Sequence, residues 1–443
     1  MLRSARHALI LLPLLLTSTA ALAAEPGPPA AEAALLAQAH RILEDTPLVD
    51  GHNDLPENFR YRVHDHLDAI DLRGGTAALD RPLQTDIPRL RRGQVGGQFW
   101  SVYISADLPG PEAVEAVLEQ IDLVKRMIAR YPETFELALT ADDVERIHSA
   151  GKIASLIGME GGTSIGDSLA VLRQMYELGA RYMTLTHWKT IDWADAATDA
   201  PVHGGLTPFG RAVVREMNRL GMLVDLSHVS PATMNDVLDE SEAPVIFSHS
   251  SAYALCAHVR NVPDDVLRRV KANGGIVMVN FAPAFVSEEA RLAWEAADAE
   301  EGRLTRLHPG KDGEAAVAEG MAAWREAHPA PRATLAQVAD HIDHIREVAG
   351  IDHVGIGSDF DGISSTPDGL EDVSCYPALL AELLRRGYTP DDVRKVAGGN
   401  ILRVMRRAAA VAARLQKERS PNDDRIDELD APGAASGPAQ AER

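Results

Sequence analysis

The chain has 443 residues, 45% hydrophobic and 25% charged, which is an ordinary globular composition with enough apolar material for a large core. Its formal net charge of −21 argues against nucleic-acid binding, which needs clustered Lys and Arg. We interpret the acidity as a solubility feature rather than as the sign of a charged partner.

The first 24 residues have the pattern of a secretory signal peptide. Arg3 and Arg6 form a basic start, residues 8–16 form an apolar segment, and residues 21–23 form a small-x-small cleavage site. The apolar segment is shorter than the roughly 20 residues that a spanning helix needs, although an uncleaved membrane anchor remains an alternative. We therefore expect a periplasmic or secreted protein with no membrane span in the mature chain.

After a Pro-rich linker at residues 25–30, strand-like and helix-like segments alternate as far as residue 414. The apolar runs that we predict as strands lie at 47–52, 97–104, 153–159, 182–187, 222–227, 244–249, 275–281 and 353–358. They are continuous rather than alternating, which is typical of a parallel sheet covered on both faces. Residues 31–414 are therefore predicted to form an α/β fold, a (β/α)8 barrel of the TIM type.

Two segments depart from the regular alternation. Residues 286–333, between the seventh and eighth predicted strands, are charged, Ala-rich and too long for a plain connection, so we predict a helical insertion. In a barrel such an insertion lies at the C-terminal ends of the strands. Residues 415–443 are polar and rich in Ala, Pro and acidic residues, which predicts a disordered tail.

The chain has two cysteines, Cys256 and Cys375. In an exported protein they could form a disulfide, or they could be two free thiols, and the sequence leaves both alternatives open. Neither belongs to a Cys-x-x-Cys pair, so a sulfur-rich zinc site is not expected.

Five of the eight predicted strands end at residues that can bind a metal or move a proton. In a parallel barrel the C-terminal ends of all strands meet on one face, so residues far apart in sequence become neighbours there. These residues are His52 with Asp54, Glu160, His228, His249 and Asp359. The pattern predicts a metal-dependent hydrolase.

Each proposed ligand has a chemical reason and a structural alternative. His52 and Asp54 are two residues apart, so on a strand both point the same way. Glu160 has two oxygens that can bridge two metals, and His228 and His249 end neighbouring strands as neutral imidazoles that zinc prefers. Taken singly, these residues could equally be polar strand ends, a salt-bridged Glu, or hydrogen-bonded histidines.

Three further residues are candidates for chemistry around the metals. Asp359 could take a proton from metal-bound water and pass it on, or it could be a direct metal ligand. His187, at the end of the fourth predicted strand, could donate a hydrogen bond to developing oxyanion charge. Arg260 could clamp a substrate carboxylate, or it could be a surface residue that caps the next helix.

With these residues assembled, the chain resembles the membrane dipeptidase (renal dipeptidase) family of zinc peptidases from about residue 46 to residue 406. The motifs that carry the resemblance are Asp50-Gly-His-Asn-Asp-Leu-Pro56, Gly96-Gly-Gln-Phe-Trp-Ser101, Leu156-Ile-Gly-Met-Glu-Gly-Gly162, Leu185-Thr-His187, Asp225-Leu-Ser-His-Val-Ser230, Pro244-Val-Ile-Phe-Ser-His-Ser-Ser251, Arg260-Asn-Val-Pro-Asp-Asp265 and Gly357-Ser-Asp-Phe-Asp-Gly362.

The resemblance implies a barrel with two zinc ions, Zn²⁺, per chain. It implies that His52 and Asp54 bind one zinc, that His228 and His249 bind the other, and that Glu160 bridges them. A hydroxide between the metals would attack the peptide carbonyl of a dipeptide. Family members often accept a D-residue at the C-terminal side, some open β-lactams, and a homodimer is expected by the same likeness.

The resemblance also assigns Asp359 to proton transfer and assigns His187 and Arg260 to substrate binding. Two departures from the animal members affect the pocket: Asn280-Phe281 is not followed by their Tyr, and the insertion at 286–333 changes the entrance. The usual partner of Cys256 is absent as well.

Two other functions remain as alternatives. One is an amidohydrolase on the same barrel that acts on ureides, lactones or phosphotriesters, a class that commonly has His-x-His on the first strand rather than His52-x-Asp54. The other is a solute-binding or metal-binding protein that is not an enzyme. Such a protein would not need Asp359 as a proton carrier.

Overall fold

The computed structural model describes residues 28–431. The strands are β1 (Leu48–Asn53), β2 (Val95–Tyr103), β3 (Phe135–Leu137), β4 (Ile153–Glu160), β5 (Ala180–Thr184), β6 (Leu223–Asp225), β7 (Ile246–Phe247), β8 (Ile276–Val279) and β9 (Val354–Ile356). The α-helices are α1 (Pro28–Asp45), α2 (Leu55–Val63), α3 (Ile87–Arg92), α4 (Gly110–Arg130), α5 (Ala141–Ser149), α6 (Leu169–Glu177), α7 (Pro208–Leu220), α8 (Pro231–Glu240), α9 (Asp264–Asn273), α10 (Pro283–Val286), α11 (Glu288–Leu307), α12 (Glu314–Ala327), α13 (Leu335–Val348), α14 (Tyr376–Arg385), α15 (Pro390–Arg394), α16 (Asn400–Glu418) and α17 (Ile426–Leu429).

Eight of the strands close into a parallel barrel. β1 pairs with both β2 and β9, β2 pairs with β4, and β4 to β9 follow one another around the ring. This arrangement confirms the predicted (β/α)8 barrel. The eight predicted strands correspond to β1, β2 and β4 to β9.

The remaining strand, β3, was not predicted. It pairs with the first half of β4, where Phe135 lies opposite Ile153, and the second half of β4 pairs with β5 instead. A three-residue strand with a single central Glu136 has no periodicity to detect. β3 lies beside the ring and does not change its strand number.

Two helices that follow barrel strands begin with well-formed N-caps. The Thr207 hydroxyl accepts the Gly210 N–H at the start of α7, and the Ser230 hydroxyl accepts the Thr233 N–H at the start of α8. In both helices Pro occupies the first helical position, where its missing N–H costs nothing. Each cap sets the residue at which a helix begins and therefore the end of the loop before it. The loop before α7 contains His187, and the loop before α8 contains His228.

Nearly all residues of the barrel strands are buried. All six residues of β1 and all eight of β4 are buried, without alternation. This is the expected result for a parallel sheet with helices outside it and side chains filling its interior.

The predicted insertion is helical, consisting mainly of α11 and α12 between β8 and β9. Described structure continues past residue 415, where the disordered tail is predicted to begin, so this part of the prediction is wrong. α16 continues to Glu418 with Leu415 fully buried, and α17 follows. Phe209 donates its backbone N–H to the Asp430 carboxylate at 3.0 Å, so polar residues of this segment are held by hydrogen bonds that composition does not reveal.

The predicted signal peptide at residues 1–24 and residues 432–443 of the predicted tail lie outside the described residues, and α1 begins at Pro28, inside the predicted linker. Within residues 28–431, no helix is long and apolar enough to cross a membrane. Cys256 and Cys375 are both free, so the disulfide alternative is wrong.

Candidate metal centre

The predicted strand ends meet at one mouth of the barrel. Glu160 is the last residue of β4, His52 lies within the end of β1, and most of the others follow their strands within three positions. The structure brings together His52, Asp54, Glu160, His187, His228, His249, Arg260 and Asp359. All are buried except Asp359, which is partly exposed.

Glu160 lies at the centre of this group and divides its two oxygens between two sets of residues. Its Oε2 is 3.4 Å from His52 Nε2. Its Oε1 is 3.1 Å from His228 Nε2 and 3.5 Å from His249 Nε2. The two Nε2 atoms of His228 and His249 are 3.0 Å apart, so both imidazoles point their metal-binding nitrogens at the same small volume.

The second set is built around His52. Asp54 follows β1 directly, at the position before α2, and its Oδ2 lies 3.3 Å from His52 Nε2. The potential ligand atoms of His52, Asp54 and Asp359 lie within 4.8 Å of one another. Because Asp359 belongs to this group, the geometry is compatible with a ligand role for it. Two further groups have equally close ligand atoms, His52 with Glu160 and His249, and Glu160 with His187 and His228.

The donor atoms fit bound metal ions. His52 Nε2 and Asp54 Oδ1 are buried and have no hydrogen-bond partner, although buried polar atoms are normally paired. A set made of imidazole nitrogens and carboxylate oxygens, with no thiolate, is typical of catalytic zinc and related divalent sites. Two of the loops also hold strained backbone, since His228 has a φ of 70° and Asp359 a φ of 67°.

Two of the histidine candidates and Glu160 have the protonation states that metal binding needs. Burial, followed by the charge of Arg260, holds the pKa of His228 well below its usual range, and burial with His52 does the same for the pKa of His249. Burial would raise the pKa of Glu160, but the neighbouring histidines outweigh it and the pKa lies well below its usual range. Neutral imidazoles and an ionised carboxylate can therefore face a cation near neutral pH.

Two further carboxyl groups lie at the mouth, buried among acidic neighbours. Burial and the negative charge of Asp54 raise the pKa of Asp359 to about 8 and the pKa of Glu57 to about 9. A bound cation would favour the ionised form of both groups. Asn280 donates its Nδ2–H to Asp359 Oδ2 at 2.8 Å and so fixes the orientation of that carboxyl group.

The two proposed substrate-binding residues are in the same pocket. His187 Nε2 is 3.9 Å from Glu160 Oε1, its Nδ1 has no partner, and burial lowers its pKa to about 4. Arg260 is only 1% exposed, so the alternative of a surface arginine is wrong. Its hydrogen bonds are long, 3.4 Å to Ser250 Oγ and 3.5 Å to the His249 carbonyl, and its Nε has no partner.

A cavity of about 810 Å³ leads from this group to the surface. Its outer wall is formed by the insertion, with Trp294, Asp298 and Glu301 of α11 and Trp324 of α12 among the lining residues. The insertion therefore lies at the entrance, as predicted. Trp188, which is partly exposed, completes the wall beside His228, and the centres of these two rings are 5.2 Å apart.

Several pocket residues were missed by the sequence analysis. Tyr103 is the last residue of β2, so the strand-end argument would have included it if tyrosine had been counted as a functional residue. Glu57 lies in the first turn of α2, and the contact of Asn280 with Asp359 was not foreseen either. Glu57 gives no sequence signal, because an acidic residue near a helix start is common for local reasons alone.

Comparison with known proteins agrees with this geometry. The sequence profile of the membrane dipeptidase family (peptidase family M19) matches residues 36–419. The chain belongs to the membrane dipeptidase family. It is 44% identical to Dipeptidase 3 of Rattus norvegicus over 379 residues, which cover 84% of this chain and 67% of the rat protein.

Two solved structures are similar in fold and sequence to this membrane dipeptidase. One is the probable dipeptidase PvdM from Pseudomonas aeruginosa, with a TM-score of 0.74 and 27% identity, covering 86% of this chain and 100% of that one. The other is a metallo peptidase from Rhodobacter sphaeroides bound to a phosphinate mimic of the dipeptide L-Ala-D-Ala, with a TM-score of 0.67 and 26% identity, covering 82% and 100%. Membership of the family makes the chain a metallo-dipeptidase, a hydrolase of dipeptides.

Proposed function

We propose that this dipeptidase holds two zinc ions, one on His52 and Asp54 and one on His228 and His249, with Glu160 between them. The observation that carries the proposal is the orientation of Glu160, whose Oε2 faces His52 while its Oε1 faces the other two histidines. Two zinc ions would supply water acidic enough to lose a proton near neutral pH and would polarise the scissile carbonyl.

Asp359 is the proton carrier in this proposal. Asn280 holds one carboxyl oxygen, which leaves the other, Oδ1, to accept a proton from the attacking water and to return it to the departing amine. With bound cations lowering its pKa from about 8, this carboxyl group would be ionised in the working pH range.

Arg260 and His187 hold the substrate. The buried Arg260 guanidinium makes only two long hydrogen bonds and has an unpaired Nε, so a substrate carboxylate could accept from N–H groups that the described residues leave poorly paired. A fork of N–H donors fits the C-terminal carboxylate of a dipeptide and disfavours longer or amidated chains. The neutral His187 can donate a hydrogen bond to the carbonyl oxygen as negative charge develops on it.

We extend the proposal to dipeptides with a D-residue at the C-terminal side as well as to L-L dipeptides. The similar Rhodobacter sphaeroides enzyme was solved with a mimic of L-Ala-D-Ala. A cavity of about 810 Å³ has room for either configuration around the clamped carboxylate.

The remaining parts of the proposal concern location and assembly. The basic start and the apolar segment of residues 1–24 support export, with a mature chain that begins near Glu25. A homodimer is expected from the family likeness. N-terminal sequencing of exported protein and light scattering of the purified chain test these two points.

The decisive experiment combines metal analysis with a substrate panel. We expect two zinc ions per chain and hydrolysis of L-L, L-D and Gly-D dipeptides, with much slower hydrolysis of the C-terminally amidated forms. A protein that carries two zinc ions but cleaves no dipeptide would contradict the proposed substrate while keeping the proposed metal site. One zinc ion in a fully active protein would remove the bridging role of Glu160.

A further inference from the structure

A chain of hydrogen bonds links a buried carboxylate to the back of a proposed zinc ligand. Asp225, the last residue of β6, is fully buried, and its Oδ2 accepts the Ser248 hydroxyl at 2.6 Å. The same Ser248 Oγ lies 2.8 Å from Nδ1 of the next residue, His249. Nδ1 of His249, the ring nitrogen that points away from Glu160, is therefore connected to Asp225 through one hydroxyl group.

The remaining contacts of Asp225 fix the direction of these hydrogen bonds. Its Oδ1 accepts the backbone N–H groups of Ser248 at 2.8 Å and Ser227 at 3.1 Å, and its Oδ2 also accepts the Thr184 hydroxyl at 2.5 Å. A carboxylate only accepts hydrogen bonds, so the Ser248 proton, with 2.6 Å between the two oxygens, points at Asp225. The Ser248 oxygen is then left as an acceptor, and Nδ1 of His249 must be the protonated nitrogen.

The consequence concerns the other nitrogen of the ring. A neutral imidazole has one proton, so a proton on Nδ1 leaves a lone pair on Nε2, the atom that faces Glu160 and His228. His52 has an independent arrangement of the same kind, since its Nδ1 lies 2.8 Å from the Tyr182 hydroxyl, which donates to the Gly51 carbonyl at 3.2 Å. His228 has no such support, because its Nδ1 is buried without a partner among the described residues.

We propose that Asp225 and Ser248 are positioning residues that set the ring orientation and the tautomer of His249, and that Tyr182 does the same for His52. The inference rests on the proposed ligand roles of these two histidines. Residues that orient ligands from behind typically contribute about 10-fold to 100-fold in metal affinity. Asp225, Ser248 and Tyr182 do not touch substrate or metal in this assignment.

Asp225→Asn is the sharpest test, because it changes the direction of the hydrogen bonds with almost no change of shape. The two backbone N–H groups require the amide oxygen on the Oδ1 side, which places the new NH₂ group opposite Ser248 and Thr184. Ser248 would then accept from the amide and donate its own proton to His249 Nδ1. That arrangement stabilises the tautomer with Nε2 protonated, which cannot bind a metal.

The experiment measures zinc binding to the metal-free full-length protein by competition with a chromophoric chelator, for Asp225→Asn, Ser248→Ala and Tyr182→Phe. We expect Ser248→Ala to lower the affinity for one of the two zinc ions by about 10-fold to 100-fold. Asp225→Asn should lower the affinity for the same ion further. Tyr182→Phe should lower the affinity for the other zinc ion. Thr184→Val is the matched control, since it removes one hydrogen bond from Asp225 but leaves Ser248 and His249 in contact, and it should change zinc affinity less than threefold.

The ring ¹⁵N shifts of His249 in the metal-free protein give a second measurement that does not depend on zinc. The parent should have a protonated Nδ1 and Asp225→Asn a protonated Nε2, with thermal unfolding reporting whether each variant is folded. Unchanged zinc affinity or an unchanged tautomer in folded Asp225→Asn would overturn the proposal, and Ser248→Ala decides the matter if Asp225→Asn does not fold. If the parent binds no zinc but the tautomer still changes, the positioning role stands and the proposed zinc function fails.

Discussion

At the scale of single residues, the site depends on where two short loops hold carboxyl groups. Asp359 and Asp361 both have a φ of 67°, yet their side chains go to different places. The Asp359 carboxyl group accepts from Asn280 and lies close to His52 and Asp54. The Asp361 carboxyl group instead accepts the Gln84 backbone N–H at 2.6 Å. The sequence contains two aspartates two residues apart, and only the path of the backbone places Asp359, and not Asp361, in the candidate metal centre.

We expect Asp359→Asn to keep both zinc ions and to lower kcat by about 100-fold to 10,000-fold, because the amide cannot carry the proton. Metal content and kcat for one dipeptide are the measurements. Asp361→Asn is the control with the same backbone conformation and should lower kcat little. Loss of zinc in Asp359→Asn would instead make Asp359 a ligand, and full activity would contradict both roles.

We expect Arg260→Ala to raise KM by about 10-fold or more for free dipeptides, because the buried N–H donors for the carboxylate are lost. The same variant should have little effect on the weak hydrolysis of amidated dipeptides, which the parent cannot clamp. Comparing the two substrate classes separates a clamp from general damage to the fold. An equal loss for both classes would count against carboxylate binding.

At the scale of elements, the insertion forms the outer wall of the pocket at the barrel mouth. Residues of α11 that line the cavity recur at helical spacing: Ala290, Ala293, Trp294, Ala297, Asp298 and Glu301. Trp294 packs against His258, at 5.6 Å between ring centres, and His258 packs against Phe285 at 4.3 Å. Phe285 lies 5.4 Å from the Arg260 guanidinium, so this aromatic column rises beside the proposed carboxylate clamp.

We therefore expect Trp294→Ala to lower kcat/KM by about 10-fold for dipeptides with a large C-terminal side chain and to change it little for C-terminal Gly or Ala. A large side chain next to the clamped carboxylate would lose contact area with the indole ring, and burial of apolar area drives such contacts. Kinetics on a series of C-terminal residues measure the change. Leu292→Ala is the control, because Leu292 is exposed on α11 and does not line the cavity; an equal effect there would contradict the assignment.

At the scale of the whole molecule, the mouth of the barrel concentrates buried charge that depends on pH and metal. In the metal-free protein the raised pKa values of Asp359, about 8, and Glu57, about 9, keep both groups protonated when their unfolded counterparts are ionised. The pKa of His52 is also raised, because the carboxylates of Asp54 and Glu160 outweigh its burial. Between pH 7 and 9 the folded state therefore binds more protons than the unfolded state.

We expect the chelator-treated protein to lose stability as the pH rises from 7 to 9, by up to about 1.4 kcal/mol per pH unit for each group that titrates there. The histidines with lowered pKa values act below about pH 6.5 and do not contribute in this window. Urea unfolding at several pH values measures the slope. Asp359→Asn should make the slope shallower, and a flat or rising profile in the parent would contradict the assigned burial of these charges.

The sequence by itself determined the alternation of strands and helices, and with it the barrel, because periodicity, caps and apolar runs are local properties. It also determined the metal-ligand candidates, since parallel strands in a closed ring bring their ends together whatever the loops do. α7 and α8, for example, each begin directly after a capping Thr or Ser that is followed by Pro, which is a local signal.

Only the tertiary structure decided the burial of Arg260, the contact between Ser248 and His249, and the aromatic column under the insertion. It also decided that the segment after residue 414 continues as helix and packs on α7. These features depend on contacts between residues far apart in the chain. Their strength comes from desolvation and from hydrogen-bond geometry, neither of which a single stretch of sequence specifies.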